Sequence, residues 1–167
     1  IRVVDPEDPT VDRAPGESGE LLVRGPQVFR GYWNQPDETA RTLLEGGWLR
    51  TGDIVVADAD GFVTVVDRLK ELIITGGFNI APSEVEDALL RDADILDAAV
   101  VGIPRPDGGE AVTAAGVLRE GATFDADAIR TRLREHLTAY KVPRAIVPFD
   151  TLPRSMVGKV LRREVRD

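Results

Sequence analysis

The pattern of turn residues and apolar spacing changes at Asp67-Arg68-Leu69-Lys70-Glu71, and this limits the chain to two unlike pieces joined by a charged run. Before the run, β-favouring stretches at 1–4, 20–24, 54–57 and 62–66 are broken by Pro15-Gly16, Arg24-Gly25-Pro26 and Asp60-Gly61. One helix is predicted among them, over 37–44. Strands this few and short do not bury two faces unaided. Residues 1–66 are therefore expected to form an incomplete β-rich subdomain of something larger.

After the run the order is strand 72–74, helix 83–91, strands 98–103 and 111–118, helix 126–137 and strand 145–149. That is β-α-β-β-α-β, a split βαβ pattern, so residues 71–167 are predicted to be a small α+β domain. Pro82-Ser83 with Glu86 three residues on predicts a capping box, and Asp125 is placed to cap the second helix. Ile129, Leu133 and Leu137 fall on one helical face at i, i+4 and i+8 and should be buried against the sheet. The charged run itself, without Pro or Gly, reads as an exposed connection.

Composition narrows the function. The 167 residues are 43% apolar and 30% charged, and no apolar run approaches the roughly 20 residues needed to span a bilayer. Ile1 opens no leader pattern, so no integral membrane segment and a cytoplasmic address are expected. A start at Ile1 instead of Met leads us to expect a piece of a longer chain. With no cysteine and only His136, thiolate sites and histidine clusters are excluded, and a metal would arrive with a nucleotide. The net charge of −8 argues against a general nucleic-acid binder. It is uneven, however: residues 141–167 carry seven Lys or Arg against three acids, hence +4, and the rest carries −12. A basic tail on an acidic body suits an anionic small ligand, although a solvated helix face has the same composition.

Three motifs carry chemistry. Leu152-Pro153-Arg154-Ser155-Met156-Val157-Gly158-Lys159-Val160-Leu161-Arg162-Arg163 places a lysine behind a glycine on a turn. It is not a phosphate-binding P-loop, because no Gly-rich stretch precedes it and Val160 stands where Ser or Thr would. Upstream lies Trp48-Leu49-Arg50-Thr51-Gly52-Asp53, which alone would be an aspartate in a β-turn. Between them, Asp67-Arg68-Leu69-Lys70 runs through Thr75-Gly76-Gly77-Phe78-Asn79-Ile80, a hairpin turn by composition, to Pro82-Ser83-Glu84-Val85-Glu86.

In this order the three resemble the C-terminal half of an AMP-forming acyl-CoA synthetase, of the adenylate-forming superfamily that includes luciferases and peptide-synthetase adenylation domains. The resemblance is strongest to fatty-acyl-CoA ligases. It implies an enzyme that activates a carboxylic acid with ATP to acyl-AMP and then transfers the acyl group to CoA, with Mg accompanying the ATP on ligands outside this chain. By resemblance, Lys159 is the adenylation lysine, a compact cation able to bridge phosphate and carboxylate oxygens. Asp53 and Arg68 would bind the nucleotide ribose, and residues 67–70 would be the hinge, with Lys70 at its pivot. Gly76 and Gly77 would let the pantetheine arm of CoA pass. Tyr140, Lys141 and Arg144, in Tyr140-Lys141-Val142-Pro143-Arg144, would meet the CoA nucleotide, although Val142 departs from a basic residue found in some relatives.

Two departures separate the chain from peptide-synthetase domains: Lys70 at the hinge, and Gly77-Phe78-Asn79-Ile80-Ala81 in place of Gly-x-Arg-Ile-Glu. The family's Ser/Thr/Gly-rich phosphate loop and aromatic-Gly-x-Thr-Glu motif do not occur here. The residues are thus expected to need the missing N-terminal domain of the same enzyme and to be inactive alone. A reading of another class makes the chain a regulatory module whose Lys159 is modified by a protein lysine acetyltransferase, which would remove the cation the chemistry needs.

Overall fold

A computed structural model describes residues 1–167, and the chain divides into two compact units, Ile1–Lys70 and Glu71–Asp167. The first contains strands β1 (Arg2–Val4) and β2 (Ser18–Val23), helix α1 (Pro36–Thr42), and strands β3 (Leu43–Leu44), β4 (Trp48–Ala57) and β5 (Val63–Arg68). All pairings are antiparallel. β1 lies on β2 and β2 on β4, while β4 also pairs with β3 at its start and with β5 along its second half. The predicted strand at 54–57 is longer than its β-branched residues suggest, because Trp48 and Leu49 already pair with Leu44 and Leu43. The same pairing ends α1 at Thr42, short of the predicted Leu44. Asp67 and Arg68, read as connection, belong to β5, and a single 3-10 turn at Leu69–Glu71 follows. Val4, Leu22, Ile54 and Val55 form a small apolar interior.

The second unit opens with the hairpin β6 (Ile73–Thr75) and β7 (Phe78–Ile80). Helix α2 (Pro82–Leu90), strands β8 (Ile95–Pro104) and β9 (Glu110–Leu118), helix α3 (Ala126–Leu133), strand β10 (Ala145–Pro148) and helix α4 (Arg162–Arg166) follow. The α+β class is as expected, with one difference in pairing: the 73–75 strand bonds to 78–80 in its own two-stranded sheet, leaving a three-stranded sheet in the order β10-β9-β8. β8 and β9 are antiparallel, and β10 returns through α3 to run parallel to β9. Neither β8 nor β9 alternates apolar with polar, because both faces of the sheet are covered. Ala98, Val100, Val112 and Ala114 pack with Val85, Leu89, Ile129, Leu133 and the hairpin's Ile73 and Ile80. Ala99, Ala115 and Val117 face Leu152, with Phe149, Val160 and Val165 against them. Full burial contributes roughly 1.5–3 kcal/mol per large aliphatic side chain, so the first cluster dominates.

Local signals explain the helix ends in part. Asp125 caps α3 as predicted, accepting from the N–H groups of Asp127 and Ala128 at 3.0 Å each. The α2 N-cap falls two residues before the expected Ser83. Its N-cap is Ala81, with no side-chain cap, and Pro82 supplies the preset φ of a first helical residue. The Glu86 carboxylate accepts from the Val100 N–H on β8 at 2.8 Å. α3 ends at Leu133 instead of Leu137, yet Leu137 stays buried through an irregular turn closed by its N–H to the Leu133 carbonyl at 2.9 Å.

An ion pair fixes α3 to the loop after α2. Arg132 donates to both Asp92 oxygens at 2.6 and 2.9 Å and to Asp94 at 2.8 Å. Burial pushes the Asp92 carboxyl up, but hydrogen bonds from Arg132 and from the Asp94 N–H outweigh it and hold its pKa below the usual carboxylate value. A lowered folded pKa gives stability that is present above the unfolded value, about 3.9, and lost as pH falls through the folded one. Arg132→Met is therefore expected to cost roughly 2 kcal/mol at pH 7 and less at pH 3, which lies below the unfolded value. Urea titrations at the two pH values check this, and an equal cost at both would sink it.

Candidate active site

In the first unit the Thr51-Gly52-Asp53 segment bulges out of β4. Between Leu22 and Glu20 the β2 register advances two residues while β4 advances from Arg50 to Ile54. Gly52 takes φ +70°, a left-handed conformation that suits glycine. The bulge re-aims the side chains that follow and has its own supports. Thr51 Oγ1 donates to the Leu21 carbonyl at 2.8 Å and accepts from the Asp53 N–H at 3.1 Å, and the Gly52 N–H donates to Glu20 Oε1 at 3.2 Å. Glu20, 1% exposed, is in turn held by Arg50 at 2.9 and 2.5 Å, and Arg50 also donates to the Pro6 carbonyl at 3.0 Å. The ring of Trp48, at the start of the motif, lies 4.7 Å from the guanidinium of Arg24 and 5.6 Å from that of Arg2.

Asp53 and Arg68 are cross-strand neighbours on β4 and β5, with Arg68 Nε 2.8 Å from Asp53 Oδ1. The pair is half exposed, with side chains 23% and 55% accessible. This leaves Asp53 Oδ2 as a preset acceptor beside a guanidinium with donors to spare. A 1,2-diol fits such a pair, since a carboxylate accepts from both hydroxyls. Lys70 is exposed in the 3-10 turn that follows.

In the second unit, Thr75 pairs with Phe78, so Gly76 and Gly77 are the two loop residues of the hairpin, at φ +57° and +81°. Two positive φ values are what a two-residue hairpin loop of this hand demands. A Cβ on Gly77 would meet nothing within 4 Å, so backbone conformation, not crowding within the chain, requires glycine there.

A cavity of about 210 Å³ beside this turn is lined by Thr75, Gly76, Phe78, Arg105, Tyr140 and Arg144, among others. Phe78 and Tyr140 stack at its wall, centroids 4.3 Å apart and planes 14° from parallel. The structure thus brings Gly76, Tyr140 and Arg144 together and leaves Gly77 and Lys141 off the lining. Lys141 instead donates to both Glu84 oxygens at 2.6 and 2.7 Å. Arg105, paired with Asp107, shares the cavity with Arg144 and carries no sequence signal. It sits at the end of β8, far in sequence from every motif, and only the packing of the hairpin against the sheet brings it there.

Lys159 is exposed in a tight turn that starts after Leu152. Arg154 and Val160 form an isolated antiparallel bridge, the Ser155 N–H donates to the Lys159 carbonyl at 2.8 Å, and the Gly158 N–H donates to the Ser155 carbonyl at 2.8 Å. Gly158 takes φ +81°, and Ser155 Oγ accepts from the Lys159 N–H at 3.2 Å. The Lys159 ammonium has no partner in the chain. No group of three or more His, Cys, Asp or Glu side chains converges to hold a metal ion, so the residues present do not fit a resident cation. No helix is long and apolar enough to cross a membrane.

A bulge that presents a carboxylate, a glycine hairpin beside a basic aromatic cavity and a lysine turn lie on a chain that is similar to the C-terminal portion of adenylate-forming enzymes. Residues 84–159 match the family described as the AMP-binding enzyme C-terminal domain. More particularly, the chain is 48% identical over 166 residues to a long-chain-fatty-acid–CoA ligase of Salmonella typhimurium, covering 99% of this chain and 29% of that protein. It is 43% identical over 166 residues to a feruloyl-CoA synthase of an Amycolatopsis species, covering 99% of this chain and 33% of that protein. Among solved structures it matches ATP-bound MatB from Rhodopseudomonas palustris with a TM-score of 0.90 and 38% identity, over 99% of this chain and 33% of that one. The chain thus spans about three-tenths of the length of the relatives it matches.

Proposed function

We propose that these residues work as the C-terminal portion of an AMP-forming acyl-CoA ligase. The observation that carries the reading is Lys159, an exposed ammonium without an internal partner on a hydrogen-bonded turn. In the first half-reaction a carboxylate oxygen of the acid attacks the α-phosphorus of ATP, the bond to the leaving pyrophosphate breaks, and acyl-AMP forms. Lys159 neutralises charge shared by the attacking carboxylate and the α-phosphate, and Asp53 Oδ2 with Arg68 holds the ribose. In the second, the CoA sulfur attacks the acyl carbon, losing its proton, and AMP departs with the bonding pair.

For that step the Gly76-Gly77 turn passes the pantetheine arm, while Tyr140 and Arg144 receive the CoA nucleotide in the cavity beside it. Lys141 contributes only by releasing Glu84, so Arg144 is the stronger phosphate partner. Lys70 is the pivot on which the second unit turns between the two steps. A medium or long fatty acid is the proposed substrate, supported by the name of the Salmonella relative. The exposure of Lys159 also supports a regulatory reading in which a protein lysine acetyltransferase neutralises it.

The test is acyl-CoA formation by the chain joined to the N-terminal portion of the ligase, across a fatty-acid length series with ferulate as a comparison. Loss of ATP–pyrophosphate exchange with every acid would overturn the reading. Within it, Arg144→Gln is expected to raise the KM for CoA about tenfold, the worth of one charged hydrogen bond, and to leave ATP–pyrophosphate exchange unchanged. A parallel rise in the KM for ATP would remove Arg144 from the CoA site.

A further inference from the structure

The turn bearing Lys159 is gripped from both sides by arginines that the roles above do not use. On its N-terminal side Arg154 donates from Nη1 to the Gly158 carbonyl at 2.7 Å and from Nη2 to Asp97 Oδ2, on β8, at 2.6 Å. On its C-terminal side Arg162 donates from Nη1 to Glu71 Oε2 at 2.5 Å and from Nη2 to both Glu86 oxygens, on α2, at 2.9 and 2.8 Å. Because Glu86 also accepts from the Val100 N–H, the second grip is fastened to β8 as well. Between the two grips Met156 and Val157 are open to solvent, so the tip has little packing of its own to fix it.

Charge is arranged to the same end. Residues 154–162 contain three cations, and three carboxylates from elsewhere in the unit engage the two guanidinium groups. The ammonium of Lys159 is left as the cation without a counter-ion. An ammonium that must touch a phosphate and a carboxylate oxygen at once tolerates little wandering of its backbone, since misplacement by about 1 Å can cost on the order of 100-fold in rate.

We propose that Arg154 and Arg162 are positioning residues that hold the Lys159 turn at the place where its ammonium meets the reacting oxygens. The inference rests on the reading of Lys159 as the adenylating lysine. It separates from a purely structural role because the Arg154–Asp97 pair lies at the surface, with Arg154 43% exposed, and pairs of that kind add little to stability.

The test uses the chain joined to the N-terminal portion of the ligase, with Lys159→Ala, Arg154→Gln, Asp97→Asn, Arg162→Gln and Arg154→Lys. Arg154→Gln and Asp97→Asn are expected to lower kcat for ATP–pyrophosphate exchange about 10- to 100-fold. The KM for ATP, thiolysis of supplied acyl-AMP and the thermal midpoint should stay at wild-type values. Arg162→Gln should move exchange the same way. Arg154→Lys reaches the Gly158 carbonyl or Asp97 but not both, and should fall between wild type and Arg154→Gln. The proposal is overturned if Lys159→Ala abolishes exchange while Arg154→Gln and Asp97→Asn keep it. It is equally overturned if Arg154→Gln depresses both half-reactions together with the midpoint. Exchange that survives Lys159→Ala would instead strike at the role of Lys159 itself, before any arginine is in question.

Discussion

Lys159→Ala is expected to lower the adenylation half-reaction by about 100- to 1,000-fold, the usual effect of removing one preorganised group that stabilises developing charge. Thiolysis of supplied acyl-AMP should survive, because in the proposed mechanism that step is served by the Gly76-Gly77 turn and the cavity beside it and not by Lys159. The fold gives this experiment a clean background. The Lys159 ammonium has no hydrogen-bond or ion-pair partner in the chain, so its removal should leave the denaturation midpoint unchanged, as surface truncations away from caps and cores do. Measuring pyrophosphate exchange and thiolysis on the same preparation separates the two steps. An equal loss in both would assign Lys159 to general substrate binding in place of charge stabilisation.

The other large effect is expected at Arg50, which has no part in the chemistry. Arg50→Met strands the Glu20 carboxylate in the interior of the first unit, and breaking a buried pair from one side costs about 3–5 kcal/mol. That is comparable with the whole stability of a small domain. The loss should reach the proposed nucleotide site too, because Glu20 also holds the Gly52 N–H at the bulge that aims Asp53. Removing both partners in Arg50→Met/Glu20→Leu should recover most of the stability, since a packed apolar pair commonly replaces a buried ion pair without loss. The Gly52 N–H would still lack its acceptor, so nucleotide affinity should recover less than stability. Denaturation curves and nucleotide titrations of the single and double variants measure the two separately. A single variant as stable as wild type would show that Glu20 finds water instead of remaining dry.

What could be read from the sequence was whatever depended on neighbours along the chain. The Asp125 cap, the buried stripe Ile129-Leu133-Leu137 and the glycine pair at the hairpin tip are set by local geometry, and each lies where the spacing puts it. Thr51-Gly52-Asp53 was different, because a Gly-Asp pair marks a turn and a bulge alike. Only its pairing with Glu20 on one side and Arg68 on the other decides between them. Ser83 and Glu86 had the spacing of a capping box, but Pro82 moves the helix start to Ala81, and Glu86 is engaged by Arg162, 76 residues on. Arg105 and Glu20 were invisible for the same reason. Glu20 is held by Arg50 from the neighbouring strand, and Arg105 reaches the cavity only where the hairpin packs beside the end of β8, which no short window of sequence contains.

The segment from Phe149 to Val165 packs on one side of the β8–β9 pair, with Leu152, Val160 and Val165 lying over Ala99, Ala115 and Val117. The stretch that bears Lys159 is therefore also a lid on apolar sheet. Deleting it would not yield a soluble, merely inactive protein. It would bare a flat, small-residue surface of the kind that seeds self-association. Loss of function by truncation here would be hard to tell from loss of solubility, and a frameshift within the codons for residues 149–165 should behave as a misfolding lesion rather than as a catalytic one.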